Sequence, residues 1–222
     1  MKKTVMDKIQ EGRQFRTMPV MECRAAGEDG GEESFIVEGY AATFGEPYLM
    51  GETEDYRFME QIDRRAFDSC EMKDVIFQYD HEGPVFARKS NGTLEVSVDD
   101  HGLKVRADLG GTEDGRKLYR MIKGCYVNQM SFAFTVSGDE ELRSKDSDGK
   151  TVFTRTITGI RRLYDVSAVS IPANDGTEIS ARSYFDGLIE REKKEAERLL
   201  EETERRTLEE HERERKLRLL QL

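Results

Sequence analysis

The sequence contains three histidines that could act as a general base, and their surroundings differ. His211 lies between two glutamates of a charged segment, and His101 lies in a polar turn segment, so both are expected to be ordinary exposed residues. His81 follows the strand-like run 75–80 and precedes a turn signal at 82–84. A strand end holds a side chain firmly beside a cleft, where general bases are often found. His81 is therefore a candidate general base, with a structural histidine as the alternative.

A serine and an aspartate in apolar strand-like runs are the other candidates. Ser131 interrupts the run 130–134, and a serine hydroxyl becomes a nucleophile only when a neighbouring base takes its proton. Asp165 lies among the apolar residues 163–169, where a buried carboxylate needs a partner such as an imidazole N–H, an arginine or backbone amides. Taken alone, Ser131 also fits a small strand residue. The absence of a GxSxG segment disfavours an α/β-hydrolase.

Most of the elements that would carry these residues are predicted to be strands. Short alternating runs predict strands at residues 18–24, 34–41, 74–79, 93–98, 102–107, 130–137, 151–158 and 160–170. Polar turn residues at 99–102 predict a hairpin, and the polar segment 138–150 predicts a mobile loop. Helices are predicted at 63–70 and at 112–123, the second with Thr112 as its cap and Gly124 as its stop. The fold class is therefore α+β, mainly β: a small closed or partly open β-barrel with flanking helices.

The chain divides by composition into three parts. Residues 1–16 are polar without periodicity and predict a flexible arm, and residues 17–183 carry the strands. Residues 184–222 are dominated by Glu, Arg and Lys with sparse leucines, which predicts a charged helical tail. Such a tail fits either a solvated helix or a weak coiled coil that docks onto a partner.

Composition excludes several classes of protein. The net charge of −10 argues against a nucleic-acid binder, and no signal peptide or membrane-spanning run is present, so a soluble intracellular protein without membrane contact is expected. Cys23, Cys70 and Cys125 form no CxxC pair and fit reduced thiols. A metal enzyme is disfavoured because no second His or Cys lies at ligand spacing from His81, and no cofactor is predicted.

Four ordered blocks of the chain resemble the prohead proteases of tailed bacteriophages, which are capsid-maturation peptidases related to herpesvirus assemblin. The blocks are VEGYAATF at 37–44, VIFQYDH at 75–81, QMSFAF at 129–134 and LYDVSAVSIPA at 163–173. The resemblance spans roughly residues 17–183 and implies a herpesvirus-protease-like fold for this domain. It makes His81 the general base and Ser131 the nucleophile. Asp165 matches the position of the third member, where family members often place Glu.

The resemblance implies a serine endopeptidase that acts through an acyl-enzyme. The implied substrates are the scaffold segment of the major capsid protein and the protease itself, inside the immature capsid in the host cytoplasm, and a homodimer is also compatible with it. Arg161, Arg162 or backbone amides near Ser131 are candidate oxyanion donors, and the arm, the 138–150 loop and the tail are candidate self-cleavage sites. The tail would dock onto scaffold helices. The alternative is a non-catalytic capsid scaffold or assembly protein, which the charged tail favours.

Overall fold

A computed structural model describes residues 12–17, 24–25, 34–170 and 179–220. These residues form eleven strands: β1 Gln14–Thr17, β2 Arg24–Ala25, β3 Ile36–Thr43, β4 Tyr48–Glu52, β5 Tyr56–Ile62, β6 Ile76–Tyr79, β7 Glu82–Arg88, β8 Leu94–Val98, β9 Gly102–Asp108, β10 Gln129–Lys145 and β11 Thr151–Val169. Two α-helices are described, α1 over Glu113–Lys123 and α2 over Ile179–Leu220. The expected mainly β, α+β class is confirmed. By contacts the chain divides into two compact units, residues 1–180 and 181–222.

The larger sheet is organised around the two longest strands. β10 and β11 are antiparallel, and the sheet continues in the order β1-β10-β11-β5-β4. β11 has 19 residues, so it pairs in parallel with β5 at one end and with β6 at the other, and β6 then pairs with β7. The end of β6 and the first half of β10 are thereby brought to the same part of β11.

The smaller sheet has the order β2-β3-β9-β8 and includes the predicted hairpin of β8 and β9. Asp99 closes its turn, because its side chain accepts hydrogen bonds from the backbone amides of His101 and Gly102. One buried cluster contains residues of both sheets, among them Val37, Leu103 and Phe132. The core therefore lies between the two sheets, and residues of β10 pack into it.

Helix α1 begins and ends as its sequence predicts. The hydroxyl of Thr112 accepts a hydrogen bond from the backbone amide of Gly115 at 3.0 Å and caps the first turn. Leu118 and Ile122 are buried in the core. A side chain at position 115 would come within 2.3 Å of the Leu109 carbonyl oxygen, so close packing explains this glycine.

The prediction of a mobile loop at 138–150 is wrong for most of its length. β10 and β11 stay paired as far as Lys145 and Thr151, so only residues 146–150 turn. The residues at 140–145 are exposed, and polar side chains are compatible with a strand whose side chains face solvent. The short helix predicted at 63–70 is also wrong, because this stretch forms successive turns with hydrogen bonds such as Ala66 N to Asp63 O.

The N-terminal predictions hold only in part. The arm was predicted as flexible over residues 1–16, but Gln14–Thr17 form β1 because they pair with the edge of β10. Residues 1–11, and residues 18–23 of the predicted first strand, lie outside the described residues. A closed barrel is not confirmed: within the described residues, the strands form two separate sheets with free edges.

Most of helix α2 carries charged side chains, whereas Leu188 near its start is buried. Ion pairs at i,i+4 spacing, such as Glu190–Lys194 and Glu202–Arg206, lie on its surface. Leu199, Leu200 and Leu208 are exposed. Neither described helix is long and apolar enough to cross a membrane.

Candidate active site

The ladder between β10 and β11 places Ser131 and Asp165 on one face. Ser131 lies opposite Ser167, and Ala133 lies opposite Asp165. Residues two apart on a strand share a face, so Ser131, Ser167 and Asp165 point to the same side. Side chains in such a diagonal relation are about 7–8 Å apart, which leaves room for an imidazole ring between them.

His81 reaches this face from the turn between β6 and β7. Asp80 and His81 form a two-residue hairpin loop, with φ of 48° and 58°. Gly, Asn and Asp adopt this left-handed conformation most readily, and for other residues such as histidine it costs roughly 1–2 kcal/mol. The strain is tolerated here because the turn is held in place by β11.

The restraint comes from Asp80 and the end of β11. The carboxylate of Asp80 accepts hydrogen bonds from the backbone amide and the hydroxyl of Ser170, both at 2.8 Å. The backbone amide of Asp80 donates to the Ala168 carbonyl at 3.0 Å. The turn therefore fixes the histidine relative to the strand that carries Asp165.

The three predicted residues are brought together in one hydrogen-bonded chain. His81 Nε2 lies 2.6 Å from Ser131 Oγ, and His81 Nδ1 lies 2.5 Å from Asp165 Oδ1. Asp165 is fully buried and Ser131 is 1% exposed. A buried carboxylate that accepts from Nδ1 leaves Nε2 as the nitrogen that exchanges a proton with the serine.

Two further residues contact the Asp165 carboxylate. The hydroxyl of Ser167 donates to Asp165 Oδ1 at 3.1 Å and lies 3.2 Å from His81 Nδ1. The guanidinium of Arg13 binds Asp165 Oδ2 and lies over the Tyr164 ring. Tyr164 is the extra residue of a bulge in β11, since the register passes from Asp165 directly to Leu163.

Strand β1 lies directly over the serine. The hydroxyl of Ser131 is 2.9 Å from the carbonyl oxygen of Arg16, and the Phe15 ring meets the His81 ring edge-on at 4.7 Å. A serine hydroxyl has one proton, which it donates either to this carbonyl or to His81 Nε2. The site is thus occupied by the chain's own N-terminal segment.

The other reactive side chains of the described residues have different surroundings. The His101 ring packs edge-on against Tyr40 at 4.6 Å, as expected for a turn residue, and His211 is exposed on α2. Burial raises the pKa of the Cys70 thiol to about 11, so at neutral pH it is not a thiolate nucleophile. Cys23 lies outside the described residues, and no cluster with the ligands for a metal ion occurs in the part of the chain that the structure describes.

The sequence did not predict a role for Asp80, Ser167, Arg13 or the residues of β1. A signal existed for Ser167, which is two residues from Asp165 and so shares its face in any strand. Asp80 could have been suspected as a turn residue adjacent to the candidate base. No local signal pointed to Arg13 or Arg16, because their contacts join residues 152 and 115 positions apart.

A serine, a histidine and an aspartate joined in this order have the geometry with which serine hydrolases activate a hydroxyl. A comparison with known families assigns the chain more closely. The sequence profile described as "Caudovirus prohead serine protease" matches residues 21–188, and the chain belongs to that family. The family predicted from the four sequence blocks is therefore confirmed. Searches of curated proteins and of solved structures each found no match.

Proposed function

We propose that the protein is the serine endopeptidase of prohead maturation, with Ser131 as nucleophile, His81 as general base and Asp165 as the third member of the triad. The hydrogen-bonded chain from Asp165 through His81 to Ser131 carries this proposal. Membership of the prohead serine protease family supports the reaction class and its place in capsid maturation.

The proposed reaction uses each side chain in one role. His81 Nε2 takes the proton of Ser131 as Oγ attacks a peptide carbonyl, and later donates it to the leaving amine. Asp165 keeps Nδ1 protonated and stabilises the imidazolium that forms between these steps. Water then hydrolyses the acyl-enzyme with His81 again as the base.

The proposed substrates are the scaffold segment of the major capsid protein and the protease itself. A protease that acts inside an assembling shell meets these chains at high local concentration. Membership of the family supports a location within the prohead in the host cell, and the capsid protein and its scaffold are the expected partners.

Co-expression with the capsid protein of the same genome tests the proposal. The wild-type chain is expected to give shortened capsid protein and self-cleavage products, whereas His81→Ala gives neither, because Ser131 then has no base. Gel electrophoresis and intact mass spectrometry measure both products. His101→Ala is the matched control and should process normally. Full processing by His81→Ala would contradict the assignment and favour a non-catalytic assembly role for this chain.

Removing residues 190–222 is expected to lower the number of protease copies in each prohead, because the charged helix α2 is the proposed docking element for scaffold helices. The comparison is made in a Ser131→Ala background, so that self-cleavage does not change the count. Quantitative mass spectrometry of purified proheads gives the copy number. A helix of equal length built from Ala, Glu and Lys replaces the segment as control. Equal packaging of all three chains would remove this role of α2.

A further inference from the structure

Strand β1 lies beside Ser131 in the manner of a bound extended peptide. It adds to the edge of β10 in antiparallel register, with Thr17 opposite Ser131. Proteins commonly bind extended peptides in this way, with main-chain hydrogen bonds for affinity and side-chain pockets for specificity. The Ser131 hydroxyl donates a hydrogen bond to the carbonyl oxygen of Arg16 at 2.9 Å, and Arg16–Thr17 is therefore the peptide bond next to this hydroxyl.

The side chains of residues 13–16 alternate between two sets of partners. Arg13 and Phe15 contact Asp165 and His81, which belong to the catalytic chain. The side chain of Arg16 points the other way and is 5% exposed. It lies in a polar pocket away from the imidazole, next to the carbonyl that faces Ser131.

The base of this pocket is the carboxylate of Glu60 on β5. Arg16 Nε donates to Glu60 Oε1 at 2.5 Å, and Arg16 Nη2 donates to Glu60 Oε2 at 3.0 Å. A bidentate pair of this kind matches the planar guanidinium and is much less favourable for lysine or a neutral side chain. Glu60 is 2% exposed, so water competes little for the carboxylate.

The pocket does not depend on Arg16 for its own structure. Tyr48 donates its hydroxyl to Glu60 Oε1 at 2.6 Å, and Arg155 Nη1 donates to Glu60 Oε2 at 3.0 Å. Burial alone would raise the pKa of the Glu60 carboxyl, but Arg16 and then Arg155 outweigh burial and hold that pKa below its ordinary value. With Arg155 in place, Glu60 stays partnered when the occupant leaves, as a reusable pocket requires.

We propose that Glu60 is the specificity determinant for an arginine directly before the cleaved bond, and that Arg16–Thr17 is a self-cleavage site of this chain. The inference rests on the proposed protease function and names the residue that its site selects. Ser131 Oγ adds to the Arg16 carbonyl carbon as its proton passes to His81, the C–N bond breaks, and that proton goes to the amine of Thr17. Water then splits the Arg16 ester to a carboxylate and restores the serine.

Intact mass spectrometry in denaturing solvent tests the self-cleavage site on the full chain. The expected wild-type products are residues 1–16 and 17–222, even if the short fragment stays bound. Ser131→Ala and Arg16→Gln should leave this bond whole, whereas Arg24→Gln, the matched control, should be cut at the same place. A wild-type chain that processes the capsid protein yet keeps the 16–17 bond intact would overturn the self-cleavage site.

Peptides test the role of Glu60 without relying on cleavage of the enzyme's own chain. The full-length protein is given a peptide with the sequence of residues 12–20 and the same peptide with citrulline, a neutral isostere, in place of Arg16. The expected loss of kcat/KM with citrulline is on the order of 10²-fold, because Glu60 then loses the charged, bidentate partner that an arginine occupant supplies. Glu60→Gln should bring the two peptides within a few-fold of each other, whereas Glu38→Gln, a strand glutamate paired with Arg106, should preserve the difference.

The outcomes separate this inference from the function on which it rests. A fluorophosphonate probe that labels wild type but not Ser131→Ala reports an activated serine regardless of specificity. Labelling together with equal rates on the arginine and citrulline peptides would overturn Glu60 as the determinant and make the Arg16–Glu60 pair purely structural. If Glu60→Gln does not fold, the comparison of the two peptides on the wild-type protein still tests whether the enzyme selects arginine before the cleaved bond. Absence of both labelling and cleavage would instead overturn the proposed function.

Discussion

Replacing Ser131 with alanine is expected to lower kcat for peptide cleavage by about 10⁶-fold, the loss typical of a triad nucleophile. The reason is chemical, since no other hydroxyl in the described part of the chain lies within 2.6 Å of His81 Nε2. The nearby hydroxyl of Ser167 is 3.2 Å from the other ring nitrogen and faces Asp165, so it is not placed to attack. The measurement is the single-turnover rate of capsid-protein cleavage by purified protein.

The control for this substitution is Ser97→Ala, which removes the same hydroxyl from an exposed position on β8. It is expected to cleave at the wild-type rate. Thermal unfolding of both variants should match the wild type within a few degrees, because an alanine fits the strand at position 131. A Ser131→Ala protein that cleaves within tenfold of wild type would show that another group is the nucleophile.

Elements whose signals are local were predictable from the sequence. The hairpin of β8 and β9 follows from the turn at 99–102, and α1 follows from Thr112 and the apolar positions 118 and 122. In both cases the residues that decide the structure are within a few positions of each other. Such local patterns can be recognised without knowledge of the rest of the fold.

Elements decided by distant partners were mispredicted. The polar residues at 140–145 resemble a loop, yet they form an exposed strand that pairs with residues 151–156. β1 is short and polar, and only its partner β10, more than 100 residues away in sequence, makes it a strand. Strand formation depends on cross-strand contacts more than on the strand's own composition, and the sequence does not display those contacts.

The residues of the candidate site also differ in how well the sequence alone predicts them. His81 could be nominated by eliminating two histidines, whereas Ser131 has the appearance of any small strand residue and needed the family resemblance. Glu60 carries no distinguishing local signal, because its importance comes from Arg16 and Arg155, which lie 44 and 95 positions away. A buried acid between Phe58 and Ile62 on an alternating strand could have raised the question of its partner.

The Asp165→Asn substitution is expected to lower kcat by about 10⁴-fold while the protein stays folded. An amide of the same shape no longer accepts reliably from Nδ1–H, so the imidazole can present the wrong tautomer to Ser131 and its charged form is no longer stabilised. Ser167 and Arg13 also contact this carboxylate, but neither supplies a negative charge beside the ring. The measurement is kcat and KM for cleavage of a peptide, with KM expected to change much less than kcat.

Two further variants show whether the loss arises at the imidazole. Asp165→Glu keeps the negative charge and is expected to recover part of the rate that Asp165→Asn loses, because a carboxylate can still accept from Nδ1–H. Asp74→Asn makes the same chemical change in an exposed ion pair with Arg88 and should leave kcat unchanged. If Asp165 only stabilised the fold, Asp165→Asn would lower the unfolding temperature together with the activity. An Asn variant with nearly the wild-type kcat would mean that another acid, or no acid, supports His81, and that the buried pair serves only to hold the β6–β7 turn against β11.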